Sequence, residues 1–237
     1  MKSSYMALPR KILLLFLFCL PLLHAEASWA KPHINEFQCP PAPSAKSPLY
    51  SRKAIFTQSC DFLSIFHGQG ACEVSTFQSI GKMGGCQYFG ATYDSGGGRI
   101  TASAVFARPI SSKSQNYYFL AVNDVYEATH ELPHITDSLD GPVLIMTAHN
   151  GNALMNDSSY YHWQKGVWHA LDNKEDMDQA LPKKNSACSG TDLWPDFATM
   201  TVKKTYSSKD GACPSKTAII SFRIEDNRFV KKEVTWK

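Results

Sequence analysis

The chain has 237 residues and a formal charge of +3, with 43% hydrophobic and 12% aromatic side chains. That apolar content excludes a disordered polymer, and the length gives room for one sizeable domain or two small ones. The small net charge gives no electrostatic case for nucleic acid or for an acidic membrane surface.

The chain opens with basic residues (Lys2, Arg10, Lys11), then an apolar run from Ile12 to Leu23, then Ala25 and Ala27 at the small positions of a signal-peptidase site. The run is short for crossing a bilayer and a cleavage site follows it, so residues 1–27 read as a secretory signal peptide, with Ala30 as a second cleavage position. Phe18 precedes Cys19 where a lipoprotein signal needs a small residue. Removing residues 1–27 takes away those three basic residues and one acid, Glu26, which lowers the charge from +3 to +1. The expected location is periplasmic or secreted, with no integral membrane span in the mature chain.

Six cysteines remain: Cys39, Cys60, Cys72, Cys86, Cys188 and Cys213. An even number in an exported chain predicts disulfides rather than free thiols. Chain proximity suggests Cys188 with Cys213, leaving the other four to staple the N-terminal third. Residues 28–49 form a proline-rich leader, "CPPAPSAKSP" within it, expected to lie extended along the surface and to be pinned by Cys39. Residues 50–237 read as one disulfide-stapled, β-rich domain, with an irregular cysteine-rich part (50–95) and a meander part (96–237).

Within the first part, "KAIFTQSCDFLSIF" fits a strand or a buried helix. "EVSTFQSIGKMGG" spaces Val74, Phe77 and Ile80 three apart, which favours a short helix ended by Gly84 and Gly85. Beyond it, "RITASAVFARP" and "QNYYFLAVN" are rich in β-branched and aromatic residues and predict an antiparallel pair. "NDVYEATHEL" has Asp124 and Glu127 in capping-box spacing and predicts a helix ending at or before Leu132.

Two later segments look alike. "YHWQKGVW" (161–168) aligns without gaps on "FRIEDNRF" (222–229), with Lys165-Gly166 and Asp226-Asn227 at the position of a tight turn. Each follows a strand candidate ("PVLIMTAH", "TMTVKKTY") and a polar loop. The pattern is strand, loop, hairpin, present twice. Between the copies, "DNKEDMDQALP" predicts a short helix from Asp172 to Pro182. The fold class expected is mainly β: antiparallel meanders forming a sandwich- or barrel-like domain with one or two short helices.

Three fragments carry candidate chemistry. "HELPH" contains the H-E-x-x-H pattern of zinc hydrolases through His130, Glu131 and His134, which needs both imidazoles on one face of a continuous helix. Pro133 opposes that helix by removing a donor and pushing Leu132 out of the α region. "YDSGGGR" resembles the nucleophile motif of the chymotrypsin-like serine proteases through Asp94, Ser95, Gly96 and Gly97, and "IMTAHN" resembles their histidine motif through Thr147, Ala148 and His149. Ser95 precedes His149 here, the reverse of that family's order. Trp163, Trp168 and Trp194 are candidates for a ligand-stacking surface or for the core. No cofactor is called for. The reading is a non-enzymatic, inhibitor-like or binding role toward a protein or envelope component. The alternative is a secreted hydrolase using Ser95 with His149, or a metal-dependent one using His130 and His134.

Overall fold

Strands account for 68% of the described chain. A computed structural model describes residues 36–42, 47–57, 72–94, 101–125, 128–149, 157–172, 174, 177, 189–207 and 216–237, all within the unit Ile34–Lys237. Its elements are β1 (Glu36–Phe37), β2 (Leu49–Ser51), α1 (Arg52–Thr57), β3 (Glu73–Met83), β4 (Cys86–Asp94), β5 (Thr101–Pro109), β6 (Asn116–Asn123), β7 (Thr129–His130), β8 (His134–Ser138), β9 (Gly141–Met146), β10 (Ala148–His149), β11 (Ser159–Gln164), β12 (Val167–Ala170), β13 (Ser189–Asp196), β14 (Thr201–Ser207), β15 (Lys216–Glu225) and β16 (Arg228–Trp236). They form a first outer sheet ordered β2-β6-β5-β4-β3, a central sheet β1-β12-β11-β9-β8 and a second outer sheet β13-β14-β15-β16. A two-stranded ribbon joins β10 to β7. The sheets are antiparallel and open, and no barrel closes among the described residues.

Side-chain alternation along β9 explains the stacking. Val143 and Ile145 join Tyr160 in a core with Val202, Ile220, Phe222 and Phe229 of the second outer sheet. Leu144 and Met146 point the other way, into a core with Tyr88, Val105, Leu120 and Trp168. The central sheet is therefore buried on both faces, which is why "VLIM" shows no polar alternation. The remaining face of the first outer sheet carries Phe89, Tyr93, Phe106 and Tyr117 under Ile55 of α1. That short helix starts where Ser51 Oγ accepts the Ala54 N–H, an N-cap bond.

Two expected helices are corrected. The segment at 73–83 is the edge strand β3. A bulge between Val74 and Thr76 puts Val74 and Phe77 on the face of the Phe89 core, while Ile80 packs toward the central sheet. One extra residue in a strand mimics three-residue helical spacing. Gly84 and Gly85 make the β3–β4 turn, at φ 56° and 79°, and do not cap a helix. The helix expected over Asp124–Leu132 does not form at its described end either, where Thr129–His130 is strand β7. The His130 N–H donates to Thr101 Oγ1 and the Glu131 N–H to the Thr147 carbonyl. Donors bound outside the segment cannot close helical turns.

Other expectations hold. β5 pairs with β6. The two strand–loop–hairpin units share one register: Trp163 pairs with Trp168 as Ile224 pairs with Phe229, and Gln164 with Val167 as Glu225 with Arg228. Both turns have two consecutive positive φ angles, 50° and 90° at Lys165-Gly166 and 49° and 57° at Asp226-Asn227, the signature of a type I′ hairpin. "KAIFTQSCDFLSIF" begins as helix α1, and the part beyond Thr57 lies outside the described residues. In the segment expected to be helical from Asp172 to Pro182, Asp172 forms a bridge with Arg228, and Lys174 and Met177 are helical. The rest lies outside the described residues.

A disulfide joins Cys39 to Cys86, 47 residues apart. It ties the leader to the start of β4, and the leader then crosses from β1 of the central sheet to β2 of the first outer sheet. Cys72 is also disulfide-bonded. Cys60, Cys188 and Cys213, and with them the expected 188–213 pairing, lie outside the described residues.

Candidate functional site

The "HELPH" segment runs extended along the end of the central sheet. His130 is buried. The Thr101 hydroxyl donates to the Ala128 carbonyl at 2.9 Å and lies 3.0 Å from His130 Nδ1. With the hydroxyl proton so used, Nδ1 must be the protonated ring nitrogen, a tautomer assigned from the network. Pro133 is buried against Gly90, where a Cβ would stand 3.0 Å from the Pro133 carbonyl oxygen and 3.1 Å from Ile80. Glu131 and His134 are exposed. An extended chain thus turns the two histidines to different environments, whereas a helix would bring them to one face. Among the described residues no group of three His, Cys, Asp or Glu side chains is placed to hold a metal ion.

The ribbon brings a different pair together. β10 lies antiparallel to β7 with His149 opposite Thr129, and His149 Nε2 is 2.7 Å from Glu131 Oε1. The imidazole is about one-third exposed and the carboxylate about half. Beside them a pocket of about 250 Å³ is lined by Glu131, His134, Ile145, Thr147, Tyr160 and Pro195, with walls from both the central and the second outer sheet. Ser95 lies outside the described residues. The described residues on either side of it are Asp94 and Thr101, paired across β4 and β5, and Thr101 is the residue that holds His130.

A second, larger pocket of about 470 Å³ opens under the leader. Its apolar lining is Phe37, Leu120, Phe119 and Val167 with Pro41 and Pro48, and Glu36 and Gln38 supply polar groups. Volume and lining are those of a small-molecule site. The tryptophans divide. Trp168 is fully buried, with Tyr88 and Trp163 edge-on to its ring. Trp163 is half-buried, and its ring would lie 2.7 Å from a Cβ at Gly84. Trp194 sits in β13 with its side chain outside the described set. Burial pushes the Tyr88 phenol up to about 12 despite the Trp168 indole beside it, and pushes Tyr161 up to about 12 as well.

Asp140, in the β8–β9 turn, links two sheets. Its carboxylate accepts from Arg223 Nε at 3.0 Å, from Arg223 Nη2, and from the Ile224 N–H at 2.8 Å. Its carbonyl lies 2.9 Å from His162 Nε2. Burial raises its pKa, but the Arg223 and Ile224 hydrogen bonds outweigh that and leave it below the usual value.

Sequence reasoning named Glu131 only as a metal-site glutamate and missed it as the partner of His149. The leader pocket was missed entirely. Neither had a local signal, because Glu131 and His149 are 18 residues apart and the pocket draws on β1, β6 and β12.

The fold and its pockets define a disulfide-linked, all-β protein of three stacked antiparallel sheets. No protein-family model matches the chain, and no curated protein or solved structure matches it.

Proposed function

We propose that this is an exported, non-enzymatic binding protein whose ligand site is the pocket beneath the leader. The observation that carries this reading is the pocket's lining: apolar residues of the central and first outer sheets beside leader residues on either side of Cys39, which the disulfide to Cys86 pins down. Preformed apolar concavities with a few polar groups at the rim bind apolar ligands with little ordering cost. A signal-like N-terminus and a disulfide support export in this reading. The chemistry of the lining selects an acyl chain or an apolar side chain of an envelope component. Native mass spectrometry of protein recovered from the exporting cell, followed by titration with dodecanoate, tests it. An adduct or saturable uptake that Val167→Trp abolishes is the expected result. No uptake, or uptake indifferent to that substitution, refutes it.

A second reading has its own observation. The 2.7 Å contact of His149 with Glu131 supplies the base and acid of a serine hydrolase, with Ser95 as nucleophile. A fluorophosphonate probe should then label Ser95 and fail to label His149→Ala. Labelling that survives that substitution removes the hydrolase reading.

A further inference from the structure

Four hairpin tips from two sheets meet in one continuous row. The Ile110 N–H, at the β5–β6 turn, donates to the Gly85 carbonyl of the β3–β4 turn at 2.9 Å. Gly84 of that turn lies against the Trp163 ring of β11, just before the Lys165-Gly166 turn. A Cβ at Gly141, at the β8–β9 turn, would lie 3.1 Å from His162 Nε2 and 3.7 Å from the Trp163 carbonyl. At the outer ends of this row Ile110 is 55% and Leu139 69% exposed, two of the most exposed large apolar residues of the described chain.

The charges around these side chains are one-sided. Lys82, Lys113 and Lys165 are exposed on three of the tips, and Arg108 lies over the Phe89 and Tyr117 rings beside them. Among the described residues the acids near the tips are Asp137, Asp140, which is occupied by Arg223, and Glu225, which is paired with Lys232. The near-neutral total of the chain conceals this local excess. Single apolar residues on short rigid turns, surrounded by lysines, match the interface of an anionic bilayer, where the apolar tips enter the headgroup region and the ammonium groups meet lipid phosphates. We infer that the row of hairpin tips docks on an anionic lipid surface. The row abuts the leader pocket at Val167, next to the Lys165-Gly166 turn, but its apolar tips and lysines are not pocket residues, so either assignment can fail without the other.

The test is co-sedimentation of the chain lacking residues 1–27, so that the apolar Ile12–Leu23 run takes no part. Vesicles of phosphatidylcholine containing about one-third phosphatidylglycerol are compared with pure phosphatidylcholine. Binding to the anionic vesicles alone is expected, weakening as salt rises. Combined Lys82→Glu, Lys113→Glu and Lys165→Glu should weaken it at least about tenfold, and Ile110→Ser with Leu139→Ser at least about threefold. Lys231→Glu with Lys232→Glu, on β16, should leave it unchanged. Urea midpoints verify folding, and Lys113→Glu alone serves if the triple variant unfolds. No sedimentation with anionic vesicles, equal sedimentation with neutral ones, or equal loss in the β16 variant overturns the inference. Capture by an acidic protein without vesicle binding overturns it too.

Discussion

Asp140→Ala should cost more stability than the exposed ion pair it removes, because the chief loss is a backbone partner. β14 pairs with β15 only as far as Ser221. Glu225 and Arg228 close the two-residue hairpin, so Ile224, next along, directs its N–H away from β16. The Asp140 carboxylate takes that N–H at 2.8 Å. A hydrogen bond to a charged acceptor contributes about 1.5–3 kcal/mol, and leaving its donor unmet costs a similar amount. The expected loss is about 2 kcal/mol, or roughly 4–8 °C in Tm for a domain of this size. Asp140→Asn keeps an acceptor of the same shape and should lose clearly less, and Arg223→Ala should lose least, since its guanidinium is half-exposed. Urea denaturation of the oxidised protein at neutral pH measures all three. The pH dependence has a definite sign. Asp140 is held below its ordinary 3.8 in the folded state, so its contribution is complete above about 3.8 and is lost as pH falls through the lower folded value. The advantage of wild type over Asp140→Asn should therefore close in that acid window. If Asp140→Ala falls within about 0.5 kcal/mol of wild type, or Asn is as damaging as Ala, the account of the Ile224 N–H is wrong.

Other outcomes follow from the same packing. Phe229→Ala, at a fully buried ring between the central and second outer sheets, should cost about 3–5 kcal/mol by chemical denaturation. Gly90→Val should cost about 1–3 kcal/mol through overpacking against Pro133 and Ile80, and a midpoint unchanged from wild type would show that Pro133 is free to shift. Replacing Cys39 and Cys86 by alanine opens a link across 47 residues and should cost about 4 kcal/mol on the chain-entropy model, read as a lowered urea midpoint. Stability should also fall as pH rises above about 10, because unfolded tyrosines ionise there while Tyr88 and Tyr161, held near 12 by burial, do not. Ultraviolet absorbance should show these phenols titrating late and together with unfolding.

The strand–loop–hairpin units were legible because a type I′ turn writes itself locally, as Lys165-Gly166 and Asp226-Asn227 between alternating runs. The β5–β6 pair was legible from its β-branched and aromatic composition. The misread segments have a common physical cause: local spacing was right but contacts from elsewhere took over. At β3 a bulge converted strand parity into apparent helical spacing. At Thr129–His130 the Thr101 hydroxyl and the Thr147 carbonyl claimed the donors a helix needs. The same distance in sequence hid the Glu131–His149 contact and the leader pocket, whose walls come from β1, β6 and β12. Pro133 was expected to end a helix before His134, but the chain there is extended and Pro133 is buried against Gly90. Its packing on Gly90 depends on a strand more than forty residues earlier, about which the motif carries no information.

The stacking order decides where recognition is available. A central sheet covered on both faces has no surface to offer, and the first outer sheet spends its far face on the Phe89 core under Ile55. What stays open is the far face of the second outer sheet, where Lys203 and Arg223 are exposed, together with edges, seams and turns. The leader pocket lies at a seam between two sheets, the Glu131–His149 pair at one end of the central sheet, and the apolar tips on the hairpin turns. Asp140 shows how one such turn is made rigid. It touches His162 through its carbonyl and Arg223 through its carboxylate, the residues that align in the two similar hairpins. One aspartate thereby fixes the β8–β9 turn to corresponding points of both units, so that Leu139 beside it is presented on a clamped frame. An exposed apolar side chain on such a frame loses little conformational entropy on contact, which favours docking.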